Sequence, residues 1–334
     1  MQSFSYTVAD DAPTAVRLLA AQGASAKFLA GGTNLYDLMK LGAETPDAVV
    51  DVTRIPGFDA VDTTGGHELI FGAGARMCDV AEDSVLLSAY PALAESLTKA
   101  SSQQLRTMAT IGGNLMQRTR CPYFRGGPAY PCNKRDPGSG CAAIGGSDRT
   151  QALLGTSVHC TATYPGDWAV ALVAFDAVLD VLGPDGQRTL PVAELHREPT
   201  DRPHVETTLA RDELILRVRV PVSRAGRGSA YLKARDRQSY AFALASAAVA
   251  LTLDENGKVT DARVALGGVA TRPWRSPEAE QALLGSMAHA GDGRAAGAVA
   301  LAAAVPGRDN AFRLDLAART VAEAVLVAAG RARS

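Results

Sequence analysis

The sequence predicts an α+β protein made of three folded parts and one inserted segment. Residues 1 to about 115 alternate between helical and strand-like apolar patterns, which is typical of an α/β lobe. Residues 116–162 lack this periodicity and are rich in glycine, proline, arginine and cysteine. Helix and strand patterns resume near residue 163, and the polar stretch 222–228 predicts a linker. Two long strands and alanine-rich helices then predict a C-terminal α+β domain.

The individual elements follow from apolar spacing and from glycine or proline at their ends. Helices are predicted over 15–23, 35–42, 85–100 and 167–175, and strands over 27–30, 48–52 and 67–75. A hairpin is predicted over 178–190 with its turn at Gly-Pro-Asp-Gly. Alternating apolar residues predict one half-buried strand over 212–221, with Leu214, Leu216, Val218 and Val220 on one face. Two further strands are predicted over 240–253 and 259–268.

Bulk composition excludes several function classes. The formal net charge is -1, which gives no electrostatic reason to expect nucleic acid or a membrane surface as a partner. No stretch reaches the roughly 18 uncharged apolar residues of a transmembrane helix. The N-terminal MQSFSYTVADD has neither a basic nor an apolar signal region, so we expect no signal peptide on this chain.

Two diglycine turns are candidate phosphate-binding loops. Gly31-Gly32 lies between a predicted strand and a helix start, and Gly112-Gly113 lies in the similar stretch TIGGNL. Glycines let successive backbone N–H groups converge, and a helix N-terminus adds positive potential, which suits a pyrophosphate. Neither stretch matches the common dinucleotide or P-loop fingerprints. The alternative is two tight structural turns.

Four of the five cysteines lie within 40 residues and indicate one local site. Cys121, Cys132, Cys141 and Cys160 lack the C-x2-C spacing of zinc knuckles and ferredoxins. The segment cannot fold by burying its own apolar surface, so a cross-link is expected. An iron–sulfur cluster, a zinc ion, two disulfides or unlinked thiols all remain open. Cys78 lies apart from this segment, and we expect it only to contribute to packing.

Positive charge surrounds these cysteines. An excess of cations would offset the negative charge of a cluster bound by four thiolates, which tunes its potential. The cations are Arg118, Arg120, Arg125, Lys134, Arg135 and Arg149.

Five stretches in this order resemble the FAD-binding subunit of the xanthine dehydrogenase/aldehyde oxidase family of molybdenum hydroxylases. They are KFLAGGTNL, TIGGNL, TYPGDWAVALVAFDA, YLKARDRQSYAFA and ALGGVATRPWR. The cysteine segment resembles that of the periplasmic aldehyde oxidoreductase branch, whose flavoprotein subunit carries an additional 4Fe–4S cluster. The resemblance implies a two-lobed FAD-binding domain of the vanillyl-alcohol-oxidase type over 1–222, containing the iron–sulfur insert 117–162. It also implies a C-terminal α+β domain of the CO dehydrogenase flavoprotein type over 228–330.

The resemblance also implies the site residues. Cofactor contacts would be Leu29, Ala30, Gly31, Gly32, Thr33, Asn34, Leu35, Thr110, Gly113, Asn114, Gln117, Asp167, Ile215 and Lys233. The ligands of the 4Fe–4S cluster would be Cys121, Cys132, Cys141 and Cys160. Two alternatives stay open: Asp167 could only complement a helix dipole, and Lys233 could lie on a solvated strand face. No side chain is expected to act as a catalytic acid or base.

The implied function is electron transfer within a heterotrimeric aldehyde oxidoreductase. A molybdenum-cofactor large subunit would oxidise the aldehyde, and a 2Fe–2S small subunit would pass electrons to FAD here and on to an external acceptor. One alternative is a 4-hydroxybenzoyl-CoA reductase-like flavoprotein subunit, and another is a zinc-bound assembly module without redox activity. We expect periplasmic location by co-export with a signal-bearing partner, or otherwise cytoplasmic location.

Overall fold

The computed structural model describes all residues, 1–334, and begins with a small parallel lobe. Its elements are β1 (Ser5–Val8), α1 (Ala12–Ala20), β2 (Lys27–Leu29), α2 (Leu35–Lys40) and β3 (Ala48–Asp51). The three strands pair in parallel in the order β1–β3–β2. The central strand β3 is buried at every position, as expected for a parallel strand covered on both faces. The loop between β2 and α2 therefore starts at an edge strand of this sheet.

The second lobe is a five-stranded antiparallel sheet covered by helices. Its strand order is β4–β5–β8–β6–β7, and the fully buried helix α9 lies within its core. In chain order the elements are β4 (Val61–Asp62), β5 (Glu68–Gly72), α3 (Met77–Ala81), α4 (Ser84–Ala89), α5 (Pro91–Thr98), α6 (Gln103–Arg106), α7 (Ile111–Leu115), α8 (Pro122–Arg125, within the insert), α9 (Trp168–Ala174), β6 (Val178–Gly183), β7 (Gly186–Pro191), α10 (Val192–Leu195) and β8 (Leu214–Pro221).

The C-terminal domain is a four-stranded antiparallel sheet backed by three helices. Its elements are β9 (Ser229–Ala234), β10 (Ala245–Leu253), β11 (Val259–Gly267), β12 (Trp274–Arg275), α11 (Pro277–Leu283), α12 (Ala290–Ala300) and α13 (Phe312–Arg333). The strand order is β12–β11–β10–β9. One face of the sheet packs against α13, and residues of the other face join the core of the second lobe. No helix combines the length and the apolar character needed to cross a bilayer.

Three local predictions were wrong. The helix predicted over 85–100 is two helices broken at Tyr90, because the residue before Pro91 is disfavoured in the helical region. The strand predicted to begin at Tyr240 begins at Ala245, since Tyr240 adopts a φ of 51° that a strand does not accommodate. In β8 a register shift opposite Asp180 interrupts the alternation and buries Ile215.

The insert 117–162 contains almost no regular structure beyond α8, and neighbouring elements hold it in place. Arg125 forms an ion pair with Asp37 of α2 at 2.8 Å. Leu153, near the end of the insert, donates its backbone N–H to Val269 O of the C-terminal domain at 2.8 Å. The insert is therefore attached on two sides by ordinary polar contacts.

Arg313 of α13 joins three separate segments. Its side chain is buried and donates hydrogen bonds to Leu244 O at 2.9 Å, to Gln151 O at 2.5 Å and to Gly268 O. Burial lowers its pKa to about 10, so the guanidinium stays charged at neutral pH. The three carbonyls come from the end of the insert and from the loops that flank β10 and β11.

We predict that Arg313→Met lowers the midpoint of thermal unfolding by several degrees. The substitution leaves Gly268 O and Leu244 O without this donor, at a cost of about 1–3 kcal/mol for a buried group, while Gln151 O keeps only the bond from Asn310 Nδ2. Arg319→Met, on the exposed side of the same helix, is the matched control and should leave the midpoint almost unchanged. Equal midpoints for both variants, measured by calorimetry, would contradict this role of Arg313.

Candidate functional site

A cavity of about 380 Å³ lies where the N-terminal lobe, the second lobe and the insert meet. The loop between β2 and α2 forms one wall, and α7 with β8 forms another. Eleven of the fourteen predicted cofactor residues line it: Leu29, Ala30, Gly31, Gly32, Thr33, Asn34, Leu35, Thr110, Gly113, Gln117 and Ile215. Asn114, Asp167 and Lys233 do not line this cavity.

The first diglycine loop presents free backbone donors to the cavity. None of the N–H groups of residues 30–35 donates a hydrogen bond to another backbone group. Gly32 adopts a φ of 71°, and a Cβ on Gly31 would lie 1.9 Å from Met108 O. The loop thus needs one glycine for its turn and the other for close packing, which leaves a row of donors suited to an anion.

The second diglycine stretch plays a different part, although its sequence is similar. Gly112 and Gly113 lie inside α7 rather than ahead of a helix. The N–H of Gly112 donates to Ala73 O at 2.8 Å, and that of Gly113 donates to Thr110 Oγ1 at 3.2 Å. These two donors are already used within the protein, which favours the alternative of a structural turn at Gly112-Gly113.

Two amide side chains near the loop keep unpaired polar atoms. Asn34 Oδ1 accepts from the N–H of Arg118 at 3.0 Å, while its buried Nδ2 has no partner. Asn114 Nδ2 contacts Met77 Sδ at 3.4 Å, and its buried Oδ1 has no partner. Gln117 Nε2 donates to Asn114 O at 2.9 Å. Buried polar atoms without partners are rare in folded proteins, and for Asn34, which lines the cavity, the unpaired Nδ2 indicates a missing polar ligand.

Asp167 and Lys233 form a buried ion pair outside the cavity. Lys233 Nζ lies 2.8 Å from Asp167 Oδ2, and Tyr231 OH donates to Asp167 Oδ1 at 2.6 Å. Burial raises the pKa of Asp167, and the Lys233 charge opposes this shift. The alternative of a solvated Lys233 was wrong, because its side chain is buried. Asp167 makes no side-chain cap to α9, so its bonds are those to β9.

Sequence reasoning missed a charged network on the insert side of the cavity. Arg118 Nε lies 2.5 Å from Glu206, and Lys134 Nζ lies 2.7 Å from the same carboxylate. Arg118 also pairs with Glu44. Burial disfavours ionisation of Glu206, but the two cations outweigh it and lower its pKa to about 2. From the sequence, Arg118 and Lys134 were predicted only to add to an excess of positive charge. Glu206 was not predicted at all, because it lies in a stretch without a recognisable motif.

The four cysteines of the insert converge without forming a completed metal site. Cys121, Cys132 and Cys160 belong to one small buried cluster with Phe124. Cys141 pairs with Cys132 through a backbone bridge, and its hydrogen bond with Cys160 lowers its pKa to about 6. No cysteine forms a disulfide, and no three His, Cys, Asp or Glu side chains are arranged as a metal-binding group.

Cys78 is separate from this cluster, as expected. It is partly buried in α3, with Sγ 3.0 Å from Asp79 Oδ1. The pKa of its thiol is raised mainly by burial and further by the neighbouring Asp79 carboxylate.

Most of the cations around the cysteine cluster are neutralised by carboxylates. Arg118, Arg125, Lys134 and Arg149 all form ion pairs. Only Arg120 and Arg135, which donate to backbone carbonyls, lack a carboxylate partner. The predicted excess of positive charge is therefore smaller than the sequence suggests.

Comparison with known proteins identifies this arrangement. The family described as "FAD binding domain in molybdopterin dehydrogenase" matches residues 2–223. The chain belongs to the FAD-binding subunits of the molybdenum hydroxylases. The "CO dehydrogenase flavoprotein C-terminal domain" matches residues 229–328, so the predicted fold class is confirmed.

Named relatives of the subunit cover nearly its whole length. The aldehyde oxidoreductase FAD-binding subunit PaoB of Escherichia coli (strain K12) is 43% identical over 99% of this chain and 100% of its own. The carbon monoxide dehydrogenase medium chain of Hydrogenophaga pseudoflava is 26% identical over 92% of this chain and 88% of its own. A solved carbon monoxide dehydrogenase from that organism, lacking the Mo-pyranopterin moiety, superposes with a TM-score of 0.77 at 26% identity, covering 99% and 98% of the two chains.

The cavity fits FAD on its own chemistry. The unpaired N–H groups of residues 30–35 match the acceptor oxygens of a pyrophosphate, next to the N-terminus of α2. The unpaired Nδ2 of Asn34 and Nδ1 of His196 offer one donor and one further polar contact in the walls. Leu29, Leu35 and Ile215 provide apolar surface. The subunit thus offers both kinds of contact that a dinucleotide needs.

We predict that Gly31→Ala lowers the affinity for FAD at least tenfold. The new Cβ would overlap Met108 O, so the loop must move and its donors lose their alignment. Gly330→Ala, at an open position in α13, is the control and should bind FAD normally. Titration of flavin-depleted protein with FAD measures the difference, and unchanged affinity in Gly31→Ala would contradict this description of the loop.

Proposed function

We propose that this subunit carries electrons within a heterotrimeric molybdenum-dependent aldehyde oxidoreductase. Electrons would arrive from a 2Fe–2S small subunit, after a molybdenum-cofactor large subunit has oxidised the aldehyde, and leave to an external acceptor. The observation that carries the proposal is the 43% identity to PaoB, which extends over all of that subunit and thus includes the insert region. The carbon monoxide dehydrogenase medium chain named above is only 26% identical, over 92% of this chain.

The residues of this chain would bind and orient FAD rather than react with the substrate. Backbone donors of residues 30–35 would hold the pyrophosphate, with Asn34 Nδ2 beside them. Thr110, Gly113 and Ile215 would shape the opposite wall. When bound, FAD supplies the redox chemistry, accepting electrons one or two at a time. No side chain of the cavity is proposed as an acid, base or nucleophile.

We propose further that Cys121, Cys132, Cys141 and Cys160 hold a 4Fe–4S cluster. Four thiolates are the usual ligand set of such a cluster. Three of these thiols share one buried group, and the thiol of Cys141 interacts with that of Cys160. Leu38 and Ala162 belong both to this group and to the cavity wall. A cluster here would therefore be separated from FAD by one layer of side chains.

We predict that replacing any of the four insert cysteines by serine removes the iron and loosens the insert. The ligands would supply a cross-link that the insert's few apolar contacts cannot replace. Cys78→Ser is the control and should keep the full iron content. Equal iron in all five variants would overturn the cluster, and zinc without iron would favour the assembly module. Turnover of a hydroxybenzoyl thioester instead of aldehydes would favour the reductase alternative.

The proposed complex would be located in the periplasm by co-export with a partner that bears a twin-arginine signal. Cofactor insertion before export is compatible with a pathway that carries folded complexes. We predict that deleting the partner's leader moves this subunit from the periplasmic to the cytoplasmic fraction. Appearance of the subunit in the periplasm without that partner would rule out co-export, and a constant cytoplasmic location would indicate an intracellular enzyme.

A further inference from the structure

His196 is a cavity residue that the resemblance did not assign. It follows α10 directly, is 8% exposed and lines the same cavity as residues 30–35. Its Nε2 lies 2.9 Å from Leu115 O at the end of α7, and its ring lies 4.2 Å from the ring of Tyr164. The Tyr164 hydroxyl also donates to Leu115 O, at 3.3 Å. The imidazole is therefore fixed from two sides.

These contacts decide which nitrogen carries the proton. A carbonyl oxygen only accepts hydrogen bonds, so Nε2 must be the protonated nitrogen in its contact with Leu115 O. Nδ1 then presents a lone pair, and it is buried without any partner. Burial lowers the pKa of His196 to about 4, which keeps the ring neutral at physiological pH. The cavity wall thus contains one oriented acceptor that needs a donor.

We propose that Nδ1 of His196 accepts a hydrogen bond from a hydroxyl group of bound FAD and so positions the cofactor. The inference rests on the FAD site of the proposed function. The pyrophosphate cannot be the partner, because it presents acceptors to the donors of residues 30–35. The hydroxyl donors nearest to the pyrophosphate along FAD belong to the ribityl chain and to the adenosine ribose. Either hydroxyl provides the same O–H to the imidazole.

Two substitutions separate this role from simple packing. In His196→Gln the longer amide can still donate to Leu115 O, but no acceptor remains at the position of Nδ1. In His196→Asn the amide oxygen can replace Nδ1, while Leu115 O keeps the Tyr164 hydroxyl as its donor. His67→Gln, an exposed histidine outside the cavity, is the control for the chemical change. We predict that FAD affinity is highest in the wild type, lower in His196→Asn and lowest in His196→Gln.

The experiment is calorimetric titration of the flavin-depleted complex with FAD, ADP and FMN. We expect His196→Gln to raise the Kd for FAD about tenfold, equivalent to about 1.4 kcal/mol, with His196→Asn within about threefold of wild type. If His196→Gln loses affinity for ADP to a similar extent, the ribose hydroxyl is the donor. If it loses affinity for FMN instead, the ribityl hydroxyl is the donor. An unchanged Kd in His196→Gln overturns the inference. Equal losses of FAD affinity in His196→Gln and His196→Asn, together with a lower melting temperature of both variants, also overturn it and indicate that His196 only contributes to packing. A wild-type complex that binds FAD but takes no electrons from aldehydes would instead refute the proposed function.

Discussion

The contact between Gly31 and the backbone of Met108 is the constraint on which the cavity depends. Because a side chain at Gly31 would overlap Met108 O, the first loop and the segment before α7 can approach only at this glycine. The approach turns the N–H groups of residues 30–35 away from any protein acceptor. The donors of α7 meet Ala73 and Thr110 instead. One loop is thereby kept free for an anion while the other supports it.

The insert shows how a segment without its own core can still have a defined place. Arg125 ties it to α2, and Arg118 with Lys134 ties it to Glu206 of the second lobe. These ion pairs neutralise three of the cations of the insert. The pairs also hold the cysteine cluster against the cavity wall, through Leu38 and Ala162. Cross-linking by a cofactor would therefore complete a fold that its neighbours have already positioned.

Sequence patterns predicted the helices and strands better than they predicted which polar groups bond to each other. The loop at Gly31 could be predicted because the strand, the diglycine and the helix start that define it are consecutive in the sequence. The similar TIGGNL stretch does not repeat this arrangement, since the Gly112 N–H donates to Ala73 O and the Gly113 N–H donates to Thr110 Oγ1. Glu206 and His196 were missed because they come from the irregular connection between α10 and β8. No periodicity or motif marks such a connection, and only tertiary contacts bring it to the cavity.

The C-terminal domain supports the cavity even though it contributes little to its lining. Lys233 of β9 is paired with Asp167 at the start of α9, and removal of either partner would leave a buried charge uncompensated. Helix α9 packs in turn against α7, which forms one cavity wall. The ion pair thus connects the C-terminal sheet to that wall through a single buried helix. Because the positions of α9 and α7 are coupled in this way, these two charged residues can affect a cofactor in the cavity through the backbone that they hold in place.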